Sequence, residues 1–161
     1  MTCCNRCTRD ISKKKKKHYS IMIDLCLEIA LKAHKGQKDL DGNPVILHPL
    51  TVGLAGKSVG EQCAGFLHDV VEDTEYTFDD LLQMGVSTEI VDALRLLTHD
   101  ESEPYLDYVR RIAESGNRIA IAVKLNDLHH NLERGRKMGY ERLVAKHEAA
   151  LAIFDNLKKQ S

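Results

Sequence analysis

The stretch FLHDVVEDT, from Phe66 to Thr74, holds a histidine and three carboxylates within six positions: His68, Asp69, Glu72 and Asp73. Imidazole and carboxylate groups this close together can ligate a divalent ion and move protons to or from a water. On a helix, successive side chains rotate by about 100°, so the four polar groups share one arc of roughly 140°. Cys63, Phe66, Leu67, Val70 and Val71 cover the remainder, and Gly65 falls inside the polar arc one turn earlier, where a missing side chain leaves room. A solvated acidic face is the ordinary reading of such a cluster. It explains neither the histidine nor the lack of any lysine or arginine on the arc, although like charges at i,i+4 repel. The pattern suggests a metal, and one helix cannot complete its coordination.

Two other places carry polar groups where packing does not ask for them. In NPVILHPL, His48 follows an apolar run and precedes Pro49. A residue before proline is biased toward extended geometry, which predicts His48 fixed at a loop–helix junction. In AVKLNDLHHNL, Asp127 and Asn131 stand one turn apart on an otherwise apolar helix. Alone, His48 reads as a buried or capping histidine, and Asp127 as a surface carboxylate or a partner of Lys124. Together they form the sparse pattern H…HD…D.

Helices must position these groups. The chain has 161 residues, 43% of them hydrophobic, with no Trp and only three Pro, which predicts one all-helical domain with a real core. The periodicity predicts a first helix over 18–34, the loop GQKDLDGNP with its turn signals, and a second helix from Pro49 toward Val59. The acidic segment forms the third helix. Thr77 caps the next one, which Gly85 stops; Ser87 caps TEIVDALRLLTH, and Pro104 opens PYLDYVRRIAES with Gly116 just past its end. A long helix over 117–134 is stopped by Gly135. The last, over 140–159, turns Leu143, Val144, Ala150, Leu151, Phe154 and Leu157 inward. No strand, internal repeat or inter-domain linker is predicted.

Charge and cysteines narrow the function classes. Residues 1–17 hold seven of the 23 basic residues and only one of the 24 acidic ones, and read as a solvated, disordered basic tail. From residue 18 to 161 the count is 16 basic against 23 acidic, a net of −7, which argues against a nucleic-acid surface. The lysine run and SIMIDLCLEIAL imitate a signal peptide, but Asp24 and Glu28 interrupt the apolar part, so the segment is an amphipathic helix and no membrane span is expected. Cys3, Cys4 and Cys7 contain one C-x-x-C without a second pair at zinc-site spacing. Cys26 and Cys63 read as core residues. An odd cysteine count without a secretion signal points to a reducing cytoplasm.

His48, His68-Asp69 and Asp127 resemble the metal-binding pattern of the HD-domain phosphohydrolases. ILHP, HDVVEDT and VKLNDLHHN, with AHKGQ upstream, resemble the narrower RelA/SpoT hydrolase domain and the small alarmone hydrolases, from about Ala33 to Asn131. The resemblance implies a single HD-domain helical bundle over 18–161 that removes the 3′ pyrophosphate of (p)ppGpp, usually with Mn²⁺. It implies His48, His68, Asp69 and Asp127 as metal ligands, Glu72 and Asp73 as the catalytic acidic pair, and Asn131 as a polar residue near the substrate. Two imidazoles, two carboxylates and no thiolate suit a hard or borderline divalent ion better than a structural zinc site.

The chain also departs from the family's pattern. Lys38 is the only basic residue in a loop that commonly carries a basic pair, and Gln37 precedes it; Lys38 is expected to hold substrate. Val45 stands where an aromatic is usual, and Asn126 and Leu128 flank Asp127 where alanine and a basic residue are usual. His34 reads as structural. His99, His129, His130 and His147 carry no assigned role, and Arg142 and Lys146 read as a solvated face. The 30 residues after Asn131 are too few for a synthetase half, so hydrolysis alone is expected. The alternatives are an HD phosphohydrolase acting on another phosphorylated nucleotide, such as NADPH, and a non-catalytic module that retains its metal. The latter has no use for the acidic pair.

Overall fold

The computed structural model describes residues 20–160. The expectations for the basic tail, including Cys3, Cys4 and Cys7, lie outside the described residues. The described chain is a bundle of helices: α1 over 20–33, α2 Leu47–Leu54, α3 Val59–Leu67, α4 Val70–Asp73, α5 Phe78–Gln83, α6 Thr88–Leu97, α7 Tyr105–Glu114, α8 Arg118–Met138 and α9 Glu141–Gln160. Among the described residues no strand forms; Lys38 and Pro44 make one isolated antiparallel bridge. The all-α expectation holds. No helix among these residues is long and apolar enough to cross a membrane.

α3 and α8 form the centre. α3 buries Cys63, Ala64, Gly65, Phe66 and Leu67, five residues running, because α2, α6 and α8 cover it on several sides. Phe66 and Leu67 each contribute about 1.5–3 kcal/mol by burial, and they anchor the turn that follows them. Cys26 and Cys63 are both fully buried, as expected.

The backbones of α2 and α3 touch. A Cβ on Gly65 would lie 2.6 Å from the Gly53 Cα, and one on Gly53 would lie 2.2 Å from the Phe66 ring. Gly65 therefore leaves room for a neighbouring helix, not for the polar arc as the sequence suggested.

Several boundaries differ from the sequence expectation. The acidic segment is not one continuous helix. α3 ends at Leu67, His68 and Asp69 form a turn, and α4 restarts at Val70. The His68 Nδ1–H donates to the Gly65 carbonyl at 2.8 Å, an oxygen that an unbroken helix would offer to the Asp69 N–H. His48 is not extended but lies in the first turn of α2, which starts at Leu47 and ends at Leu54, short of Val59. Pro49 is tolerated there because N–H groups in a first turn have no helical partner to lose.

Gly135 does not stop α8. It is buried inside that helix, where a Cβ would meet Val144 Cγ2 at 3.1 Å, so it lets α9 pack close. The stop is Gly139, whose φ of 72° favours glycine. The expected caps partly hold. Thr77 and Asp80 form a reciprocal capping box and Gly85 follows α5 with φ 98°, whereas Ser87 sits at the α6 cap position without a side-chain hydrogen bond. On α9, Ala150 and Phe154 are buried as expected, Leu143 is exposed, and His147 takes an inward position the apolar pattern did not show.

Candidate metal centre

Four side chains from three separate segments meet where the α3–α4 turn faces α2 and α8. His48, His68 and Asp69 each place one ligand-type atom within 4.8 Å of the others. His68 Nε2 lies 3.2 Å from His48 Nε2 and 3.0 Å from an Asp69 carboxylate oxygen. Asp127 Oδ1 joins them at 3.2 Å from His48 Nε2 and 3.9 Å from His68 Nε2. The break after Leu67 matters here. It turns His68 and Asp69 together toward α8, while Gly65 and Gly53 bring α2 near enough for His48 to reach them.

The surroundings prepare these groups to donate electron pairs. The Gly65 carbonyl holds the His68 proton on Nδ1 and leaves Nε2 facing the cluster. Burial pushes the His68 imidazole below its ordinary value, which keeps it neutral. Burial alone would raise Asp127, but Lys124, then His48 and His68, hold its carboxyl well below the usual carboxylate range. Lys124 Nζ donates to Asp127 Oδ2 at 2.9 Å, and Asn131 Nδ2 donates to Oδ1 at 2.5 Å. Burial and the charges of Asp127, Asp73 and Glu72 push Asp69 up to about 7 against the pull of His48. A site that concentrates this much negative charge favours a cation.

The cluster opens into a cavity of about 320 Å³ that also contains Glu72, His99, Tyr105, Tyr108, Lys124, Asn131, Lys146 and His147 among its lining residues. The His99 N–H donates to Glu72 Oε2 at 3.0 Å, which fixes that carboxylate at the rim. Lys146 is therefore not part of a wholly solvated face: its Nζ lies 3.8 Å from the Tyr105 ring centroid, while Arg142 remains exposed.

A second cavity, about 490 Å³, is lined by Lys38, Asp73, Arg134 and Tyr140 and shares Asn131 and His147 with the first. The expected acidic pair is thus divided, Glu72 facing the histidine–carboxylate cluster and Asp73 facing its neighbour. Lys38 lies in the second cavity, away from the cluster.

Gln37 has a structural task that its place beside Lys38 did not suggest. His34 Nδ1 donates to Gln37 Oε1 at 2.8 Å, and Gln37 Nε2 donates to the Asp73 carbonyl at 3.2 Å. This chain of contacts ties α1 to the end of α4 and agrees with a structural His34. The second cavity's floor is held by Arg134, which pairs with Asp39 at 3.0 Å and with Asp41, to which Tyr140 also donates. Sequence reasoning missed Arg134, Tyr140, Asp39 and Asp41, whose partners lie over ninety residues away. It also missed His147, although that residue falls on the inward stripe of α9 between Val144 and Ala150.

No protein-family model matches the chain. It is 32% identical over 142 residues to a Streptomyces coelicolor protein named GTP pyrophosphokinase, covering 82% of this chain and 17% of that one. It is 34% identical over 116 residues to the guanosine-3′,5′-bis(diphosphate) 3′-pyrophosphohydrolase of Haemophilus influenzae, covering 65% of this chain and 17% of that protein. The chain thus spans about one-sixth of the length of these curated relatives. A solved structure described as a metazoan orthologue of SpoT that hydrolyses ppGpp shares the fold, with a TM-score of 0.58 at 22% identity over 86% of this chain and 94% of that one. Along most of its helical body the chain is similar in sequence to RelA/SpoT-type proteins, and it shares the fold of a solved one.

Proposed function

We propose that this chain hydrolyses the 3′ pyrophosphate of (p)ppGpp, giving GDP or GTP and pyrophosphate, with one divalent ion, Mn²⁺, held by His48, His68, Asp69 and Asp127. The observation that carries the reading is the convergence of two imidazole Nε2 atoms and two carboxylates at 3.0–3.9 Å from three segments. The donor set fits such an ion: both nitrogens face inward, His68 is held neutral, and no thiolate is present. The ion would supply charge neutralisation at the phosphoryl group and make a water more acidic.

The protein's own groups do the rest. Glu72, anchored by the His99 N–H, orients the attacking water and takes its proton. Lys146, which lines the same cavity, offers positive charge to the phosphate oxygens. Asn131, at the boundary of both cavities, and Lys38, in the second, hold the nucleotide while Asp73 relays a proton toward the departing 3′ oxygen. A water oxygen bonds to the 3′-linked phosphorus, the bond to the ribose oxygen breaks, and that oxygen leaves with a proton.

Purified protein incubated with Mn²⁺ and a panel that includes ppGpp and NADPH is expected to yield GDP and intact pyrophosphate from ppGpp. Release of orthophosphate from NADPH or another nucleotide, with ppGpp left intact, would replace this reading with a different HD phosphohydrolase activity.

A further inference from the structure

The two histidines of the cluster are oriented by different devices. His68 Nδ1 is held by a backbone carbonyl, which can only accept. His48 Nδ1 lies 2.7 Å from His130 Nδ1, and the two rings stack with centroids 4.9 Å apart and planes 26° from parallel. The cluster-facing atom of His48 is Nε2, which leaves its Nδ1 to His130. Two ring nitrogens at hydrogen-bond distance must share one proton, and where it sits decides which nitrogen of His48 keeps a lone pair.

From this geometry we propose that His130 is a positioning residue that sets the tautomer of His48. His130 Nδ1 accepts the His48 Nδ1–H, so that His48 Nε2 offers its lone pair to a divalent ion. The proposal rests on His48 being a ligand. His130 itself touches neither ion nor substrate and acts through His48 alone. Its position on α8 follows from helix periodicity: residues three apart lie on neighbouring rows of one face, so Asp127 meets the inner edge of His48 while His130 meets the outer one. One stretch of α8 thereby grips the imidazole from both sides.

The test uses the whole chain and Mn²⁺ itself, titrated by calorimetry against wild type, His130→Phe, His130→Asn and His48→Ala. His130→Phe keeps a stacking ring but loses the acceptor, and Mn²⁺ affinity should fall about 10- to 100-fold, the usual loss when a ligand's hydrogen-bond partner is removed. His130→Asn retains an acceptor oxygen, and affinity should recover to within about threefold of wild type. Unchanged affinity in His130→Phe, or an equal loss in His130→Asn, would overturn the proposal.

A measurement on wild type alone removes any dependence on how the variants fold. Nitrogen-15 spectra of the protein loaded with Zn²⁺, a diamagnetic probe for the same site, should show His48 protonated on Nδ1 with Nε2 bound to the ion; Nε2 protonated or Nδ1 bare would also overturn it. His48→Ala tests the underlying reading separately. Full Mn²⁺ affinity there means that His48 is no ligand, whereas loss there with an indifferent His130→Phe sinks only the role of His130.

Discussion

The cluster is built from two halves that reach similar geometry by different routes. The His68–Asp69 half is local: consecutive residues in one turn, with a backbone carbonyl three residues back as the orienting group. The half containing His48 and Asp127 is assembled across 79 residues of sequence and depends on side chains, Lys124, Asn131 and His130, to orient it. A carbonyl cannot change its role and cannot be removed by substitution. A side-chain partner can do both. The local half should therefore tolerate changes elsewhere in the bundle, and the assembled half should not.

Asp127 connects the halves, since its Oδ1 faces both histidines, so its removal should have the largest effect. Asp127→Ala should abolish tight Mn²⁺ binding. It should also cost about 3–5 kcal/mol of stability, because Lys124, only 7% exposed, loses its buried partner. Calorimetry and denaturant melts read the two losses. A variant that binds one equivalent of Mn²⁺ as tightly as wild type would show that Asp127 is not a ligand.

Glu72→Gln sharpens the comparison from the local side. The amide oxygen can still accept from the His99 N–H, so the geometry and the metal should persist while turnover falls about 10²- to 10⁴-fold. Near-normal steady-state turnover would remove Glu72 from the chemistry.

Gly65→Ala probes the contact between the halves. The new Cβ would force the α2 backbone away from α3 and shift His48 relative to His68. Overpacking of this kind typically costs about 1–3 kcal/mol, and Mn²⁺ affinity should fall with it. Thermal melts with unchanged affinity would mean that α2 moves without carrying His48.

The smallest effect is expected far from the ion. Gln37→Leu removes the acceptor for His34 Nδ1 and the tie to the Asp73 carbonyl, and should cost about 1–3 kcal/mol. Mn²⁺ affinity should stay at the wild-type value. If affinity fell instead, the second cavity and the cluster would be coupled more tightly than their shared residues, Asn131 and His147, indicate.

Much of this is legible in the sequence. Long breaker-free segments and a 3.6-residue period account for the helices, and Thr77, Gly85, Pro104 and Gly116 mark boundaries where backbone chemistry is local. The rarity of H…HD…D among apolar neighbours drew attention to His48, His68, Asp69 and Asp127, the residues the fold brings together. Gly135 misled because a glycine in a sequence signals a helix end and a close helix contact equally well. His48 misled because the restriction that a proline places on its neighbour is a bias, which an N-terminal helical turn overrides at small cost.

What the sequence by itself determined was therefore the helical class, the identity of the donor groups and the chemistry open to them, because periodicity and side-chain type are local properties. Only the tertiary structure decided the rest. The break at His68 comes from a carbonyl captured by an imidazole, the approach of His48 from two glycines facing each other, and the separation of Glu72 from Asp73 from the direction in which α4 leaves its turn. The first is local but not periodic, and the other two depend on which helices pack against the turn, so the apolar pattern alone specifies none of them.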